Sequence, residues 1–246
     1  MGSMESPVTR VGDAMRRPAG AWSESVHNLL RHVRARGLGC VPEPLGIDAS
    51  GRATVSFVAG IVPAYPMPEW LWDERVLTDA ASLLRRYHDA TVDFPRAGRR
   101  WQLPAHAPDE VVCHNDFAPY NLVFRERRLA GVIDFEAASP GPRLWDVAYL
   151  AYRLVPLTAA TNPDAIVTSD GARAGRLRRL CAAYGGAVTP AAVLALAPER
   201  LGELAAFTAA RADGGGPAVW REHVRTYEAD AAYLRASAWR LTERSA

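Results

Sequence analysis

The chain contains no lysine: all 29 of its cationic side chains in 246 residues are arginine, a usage in keeping with a GC-rich coding sequence. Any phosphate contact that a lysine ammonium would make elsewhere must be made here by a planar guanidinium, by backbone N–H groups, or not at all. Cysteine is scarce too. Cys40, Cys113 and Cys181 are odd in number, widely separated and without C-x-x-C spacing, so neither a disulfide framework nor a zinc site is suggested and a reducing cytoplasm fits. Long apolar runs are missing. The most apolar stretch, 144–160, is interrupted by Asp146 and Arg153, so no membrane partner is expected. With a net charge of only +2 and no basic run interleaved with aromatics, nucleic acid is not an expected partner either. The N-terminus lacks the pattern of a signal peptide, and Met1-Gly2-Ser3 ahead of Met4 has the look of an expression scar, set outside the fold. Among catalytic templates, the G-x-S-x-G elbow, the H-E-x-x-H zinc helix and the P-loop are all absent.

What is present is an ordinary globular composition, 49% apolar and 23% charged, long enough for one large domain or two small lobes. Residues 8–17 alternate weakly and predict one or two short strands ending at Pro18. Ser23 is a candidate N-cap for a helix whose Val26, Leu29, Leu30 and Val33 fall at i, i+3, i+4 and i+7, with Gly37 ending it. Two strands, 42–47 and 52–58, are expected around an Asp48-Ala49-Ser50-Gly51 turn, and a proline-rich linker follows. Beyond it come a helix over 76–88, a short strand at 110–113, a hairpin of 122–124 and 129–133, and helices near 143–155, 172–184, 190–212 and 217–242, the third broken near Pro198.

The chemistry is concentrated in His114-Asn115-Asp116-Phe117-Ala118-Pro119-Tyr120-Asn121 and Ile133-Asp134-Phe135-Glu136. An Asp, an Asn five residues on and a second Asp thirteen beyond that suit phosphoryl transfer. The first carboxylate can orient or deprotonate a hydroxyl, while the Asn oxygen and the second Asp offer Mg²⁺ the hard oxygen ligands it prefers. Taken singly, each is a common turn former; their joint spacing and strand context carry the assignment. The bland readings hold elsewhere: Cys113 as packing, Asp146 as a cap or brace, and Glu136 as structural, with an approach to a second metal or a cationic substrate as its alternative.

These strings, with Ser139-Pro140-Gly141-Pro142-Arg143-Leu144-Trp145-Asp146 after them, resemble the aminoglycoside phosphotransferase family and its choline-kinase-like relatives, small-molecule kinases on the protein-kinase fold. The resemblance implies an α+β, two-lobed fold: a shortened N-terminal lobe over 4–60 and a mainly helical lobe over 61–246. It implies ATP and Mg²⁺ as cofactors and a small-molecule hydroxyl, of an antibiotic or a metabolite, as acceptor. Asp116 would be the catalytic residue and Asn121 and Asp134 the metal ligands. The backbone at Phe57, Val58 and Ala59 would meet the adenine, and His114 would brace the catalytic loop. Carboxylates on the helices, Glu199, Glu203, Glu222, Glu228 and Asp230, are available to a cationic acceptor. The family's Gly-rich loop and its lysine–glutamate pair have no counterpart in this sequence. Arg17 or Arg16 is the stand-in for the lysine, and Glu24 and His27 are the nearest matches for the glutamate. Three readings stay open: a minimal active lobe, a missing start, or a pseudokinase-like binding protein without productive ATP binding.

Overall fold

A computed structural model describes residues 8–242, so Met1-Gly2-Ser3 lies outside the described residues. The chain divides into two compact units, Met1–Pro63 with Arg86–Arg143 and Ala64–Arg85 with Leu144–Ala246.

The first unit opens with an antiparallel sheet of order β1-β2-β4-β3, built from β1 (Thr9–Val11), β2 (Ala14–Pro18), β3 (Pro44–Ile47) and β4 (Arg52–Ser56). Gly12, at φ 60°, turns β1 into β2 where an L side chain would be strained. The register of β2 on β4 sets Arg16 opposite Thr54 and Arg17 opposite Ala53. Successive strand side chains point to opposite faces. Arg16 accordingly reaches Asp48 in the β3–β4 turn while Arg17 reaches the other way. Helix α1 (Ser23–Ala35) buries the anticipated stripe of Val26, Leu29, Leu30 and Val33. Its start differs from expectation. Ser23 is already helical, and its hydroxyl accepts the Gly20 N–H at 3.0 Å instead of capping a free N–H inside the helix.

The rest of this unit is made of β5 (Val111–Cys113), the hairpin β6 (Leu122–Arg125) and β7 (Arg128–Val132), and β8 (Ser139–Gly141). Strand β8 was not foreseen. It runs antiparallel to β5, setting Cys113 opposite Ser139, and so joins the two ends of the segment that carries the motif. Gly131 lets β7 approach the Cys40 carbonyl, which accepts the Val132 N–H at 3.1 Å; a Cβ at 131 would strike that oxygen.

The helix α2 (Glu74–Thr91) crosses the division of the chain, and Arg143 opens α3 (Arg143–Leu154). The second unit holds most of α3, then α4 (Asp170–Tyr184), α5 (Pro190–Asp213), α6 (Val219–Ser237) and the short α7 (Trp239–Thr242). Ser169 and Thr189 cap α4 and α5 through side-chain oxygens that accept the N–H groups of Ala172 and Ala192, each at 3.2 Å. No break occurs at Pro198: α5 continues through it. A proline inside a helix costs about 3 kcal/mol, and the long packing of α5 along α6 outweighs that here. Asp230 on α6 is fully buried and accepts from Tyr152 Oη at 2.6 Å, Asn162 Nδ2 at 2.6 Å and Ala159 N at 2.7 Å. It is therefore a structural anchor rather than a carboxylate on offer to a cationic acceptor. No helix among the described residues is long and apolar enough to cross a membrane.

Candidate active site

Strand β5 ends at Cys113 and delivers His114, Asn115 and Asp116 into a loop that closes in a 3-10 turn at Pro119–Asn121. His114 braces this loop. Its Nδ1 accepts the Asp116 N–H at 3.2 Å and its Nε2 stands 3.1 Å from the Ile133 carbonyl, which fixes the tautomer with the proton on Nε2. Phe135, also buried, packs its ring 4.6 Å from that imidazole and 5.6 Å from Tyr87.

The Asp116 carboxylate is held at both oxygens. Oδ1 accepts the Tyr120 hydroxyl at 2.7 Å and Oδ2 accepts Asn121 Nδ2 at 2.8 Å. Asn121 Nδ2 also donates to the Asp116 backbone carbonyl at 2.9 Å. Both partners of that nitrogen are pure acceptors, so the amide orientation of Asn121 is determined and Oδ1 is the atom it can present to a cation. The structure thus brings Asp116 and Asn121 into direct contact.

Asp134 follows β7 in the left-handed region, at φ 66° and ψ 67°, and Asn115 shares that region at φ 63°. Such conformations are costly for non-glycine residues and persist where the surroundings enforce them. For Asn115 the enforcement is visible: Nδ2 donates to the Ala137 carbonyl at 2.9 Å and to Ser139 Oγ at 2.8 Å, tying one motif loop to the other. Asp134 Oδ1 accepts from Arg17 Nη1 at 2.8 Å, with the two side chains 43% and 23% exposed. Arg17 Nη1 also stands 3.7 Å from Glu136 Oε1, and the Trp22 indole N–H donates to Glu136 Oε2. The Glu136 carboxyl is pushed above its ordinary range by burial, against the pull of Arg17 and the Trp22 bond; Asp134 beside it pushes the same way as burial. Arg17, His27, Asp134 and Glu136 line a recess of ≈ 20 Å³, room for about one water. Burial and the nearby Arg31 charge hold His27 below its usual pKa.

Of the other residues singled out from sequence, Arg16 is committed to Asp48, on the opposite side of β2 from Arg17. Phe57 donates its N–H to the Asp13 carbonyl at 2.7 Å and lies under Arg10, whose guanidinium carbon is 3.6 Å from the ring centre. The Ala59 carbonyl accepts from Arg125 Nε at 2.9 Å, and a Cβ on Gly131 would lie 3.1 Å from Val58 Cγ1. Sequence reasoning missed Tyr120, Asn115, Trp22 and the closeness of Glu136 to Arg17. Tyr120 and Asn115 lie inside the motif and were open to suspicion. Nothing in the sequence links Trp22 to a residue 114 positions away.

The donor set fits a small hard cation. An amide oxygen and a carboxylate are the kind of ligands Mg²⁺ takes from protein, in the small number it needs when phosphates and water supply the rest.

The architecture is that of the protein-kinase-like small-molecule kinases. The structure superposes on a choline/ethanolamine kinase family protein from Mesorhizobium loti with a TM-score of 0.65 at 18% identity, covering 95% of this chain and 87% of that one. It also superposes on a choline kinase from Streptococcus pneumoniae with a TM-score of 0.60 at 16% identity, covering 96% and 92%. Residues 63–185 match the phosphotransferase enzyme family, and the chain belongs to it. A further relative by sequence is the trifolitoxin immunity protein of Rhizobium leguminosarum bv. trifolii, 36% identical over 146 residues. That match spans 56% of this chain and only 54% of the relative's length.

Proposed function

We propose that this phosphotransferase moves the γ-phosphoryl group of ATP to a hydroxyl of a small molecule, an antibiotic or a metabolite, in the cytoplasm. The observation that carries the reading is the direct bonding of Asn121 to Asp116, with Asp134 fixed on the neighbouring loop by a cation from β2. Asp116 orients the acceptor hydroxyl and takes its proton. The acceptor oxygen forms the new P–O bond as the bond between the γ-phosphorus and the β–γ bridging oxygen breaks, and ADP leaves with that electron pair. Asn121 Oδ1 and Asp134 would hold Mg²⁺, which when bound neutralises charge on the phosphates. Arg17 serves as the phosphate contact in the absence of lysine, and the backbone of Phe57, Val58 and Ala59 is the adenine-facing segment. Cys40, Cys113 and Cys181 form no disulfide, in agreement with a reducing compartment. The immunity role in the name of the Rhizobium relative favours an antibiotic-like acceptor.

The experiment is a thermal-shift titration with ATP, with and without Mg²⁺, on the parent and on Asp134→Ala. The reading expects nucleotide stabilisation that needs the metal and is lost in the variant. A parent that gains nothing from ATP and Mg²⁺ together is a binding protein rather than a kinase. Product-mass screening over hydroxylated small molecules follows, with Asp116→Ala as the control that loses turnover.

A further inference from the structure

In a kinase of this fold the phosphate-binding cation is steadied by a carboxylate from the helix that follows its strand. Here that helix is α1, and it supplies no such group. Glu24 is exposed and turned toward a different recess, shared with Asn28, Arg99 and Arg100. His27 does line the Arg17 recess, but burial favours its neutral form. The two carboxylates near Arg17 come instead from one loop, Asp134 at 2.8 Å and Glu136 at 3.7 Å. The 3-10 turn Phe135–Ala137 explains the pairing: with Phe135 buried beneath, residues 134 and 136 both reach Arg17. Glu136 is also anchored from behind, because Trp22, next to the start of α1, donates its indole N–H to Oε2.

Resting on the phosphotransferase reading, we propose that Glu136 is a positioning residue that receives Arg17 when Asp134 turns to the metal–nucleotide. Arg17 already holds Asp134 Oδ1, so a cation drawn to that carboxylate competes with it. Were Asp134 its only partner, cation binding would release a long side chain whose ordering at the phosphates costs entropy. Glu136 Oε1 already stands only about half an ångström beyond bonding range, 3.7 Å away, on a carboxylate only 21% exposed and locked by Trp22. The guanidinium fork can give one edge to Glu136 and another to phosphate, which a single ammonium point charge does less well. The helix therefore contributes a tether, and the metal-site loop contributes the acid.

Glu136→Gln tests this, since it keeps an acceptor for Trp22 and removes the charge. Calorimetry with a non-hydrolysable ATP analogue and Mg²⁺ is paired with Mn²⁺ alone, read by electron paramagnetic resonance. The expected result is a loss of about tenfold in metal–nucleotide affinity, with any weakening of Mn²⁺ binding present only while Arg17 is in place. In an Arg17→Ala background the same substitution should cost nothing further, the signature of two residues acting as one. Trp22→Phe, which keeps the charge and frees the carboxylate, should give a smaller loss in the same direction and serves if the first variant folds poorly. Weakening of Mn²⁺ binding by Glu136→Gln in the Arg17→Ala background would make Glu136 a metal ligand and overturn the proposal. So would unchanged metal–nucleotide affinity, or losses that add with Arg17→Ala. A parent that binds no nucleotide removes the phosphotransferase reading itself, an outcome distinct from an intact parent with an indifferent variant.

Discussion

Tyr120 gives its phenol proton to Asp116 Oδ1 across 2.7 Å, so the proposed acceptor-binding carboxylate already holds a hydroxyl of the protein's own. The two residues are four apart, joined through the 3-10 turn that also fixes Asn121. Tyr120→Phe should cost about 1 kcal/mol of stability by losing one hydrogen bond. Its effect on turnover should stay under about tenfold, against roughly 10²- to 10⁴-fold for Asp116→Asn. Urea melts and steady-state kinetics measure the two quantities separately. Equal losses of turnover in both variants would place Tyr120 in the chemistry itself.

His27 and Glu136 share a recess and pull stability in opposite directions with pH. Burial lowers the His27 pKa from 6.5, so below that value the unfolded chain binds the extra proton and His27's contribution is lost as pH falls. Burial raises the Glu136 pKa above 4.5, so its contribution is full below 4.5 and fades as pH rises through the folded value. Denaturant titrations between pH 8 and 5 should show a shallower acid-side decline in His27→Gln and a steeper one in Glu136→Gln than in the parent.

Two glycines should answer alanine with opposite signs. At Gly131 the new methyl meets the Cys40 carbonyl and approaches Val58 Cγ1 to 3.1 Å, and the backbone oxygen cannot step aside freely. A loss of roughly 1–3 kcal/mol is expected. Gly202 lies in α5 with nothing within 4 Å of an added Cβ, so Gly202→Ala should gain about 0.5–1 kcal/mol. Thermal denaturation of the two single variants settles it.

Asp230 offers a test inside the helical unit. Tyr152 and Asn162 both donate to Oδ2 while Ala159 N donates to Oδ1, so Asp230→Asn must turn an amide N–H₂ toward a donor whichever way it lies. The expected loss is about 2–4 kcal/mol, read as a fall in melting temperature. Burial raises the Tyr152 phenol well above its normal pKa, and Asp230 adds to that push. The phenol should therefore stay protonated in an absorbance titration until the protein unfolds.

Much of this was legible from local pattern. The stripe of α1 is a 3.6-residue period written in aliphatic residues, and Asp116, Asn121 and Asp134 stand out because their spacing has few other uses. What escaped depended on partners distant in sequence. Ser139-Pro140-Gly141 has no strand propensity, and it is extended because the short β5 needs a neighbour for its backbone. Ser23 had the chemistry of a cap, but the Gly20 N–H took its hydroxyl. Sequence also left Arg16 and Arg17 equivalent. The alternation of β2 divides them, sending one to a turn and the other to Asp134.

That division has a consequence for chemical labelling. Amine-directed reagents built on nucleotides, which mark kinases through the lysine beneath the phosphates, have no side-chain target in a chain without lysine. An arginine-selective dicarbonyl is the matching reagent, and Arg17, paired with Asp134 and 23% exposed, should react sluggishly; in Glu136→Gln, where no carboxylate receives it, a competing cation should free it. A residue invisible to the usual probes would then become a reporter of metal occupancy, its labelling accelerated by Mn²⁺ and blocked again once phosphate arrives.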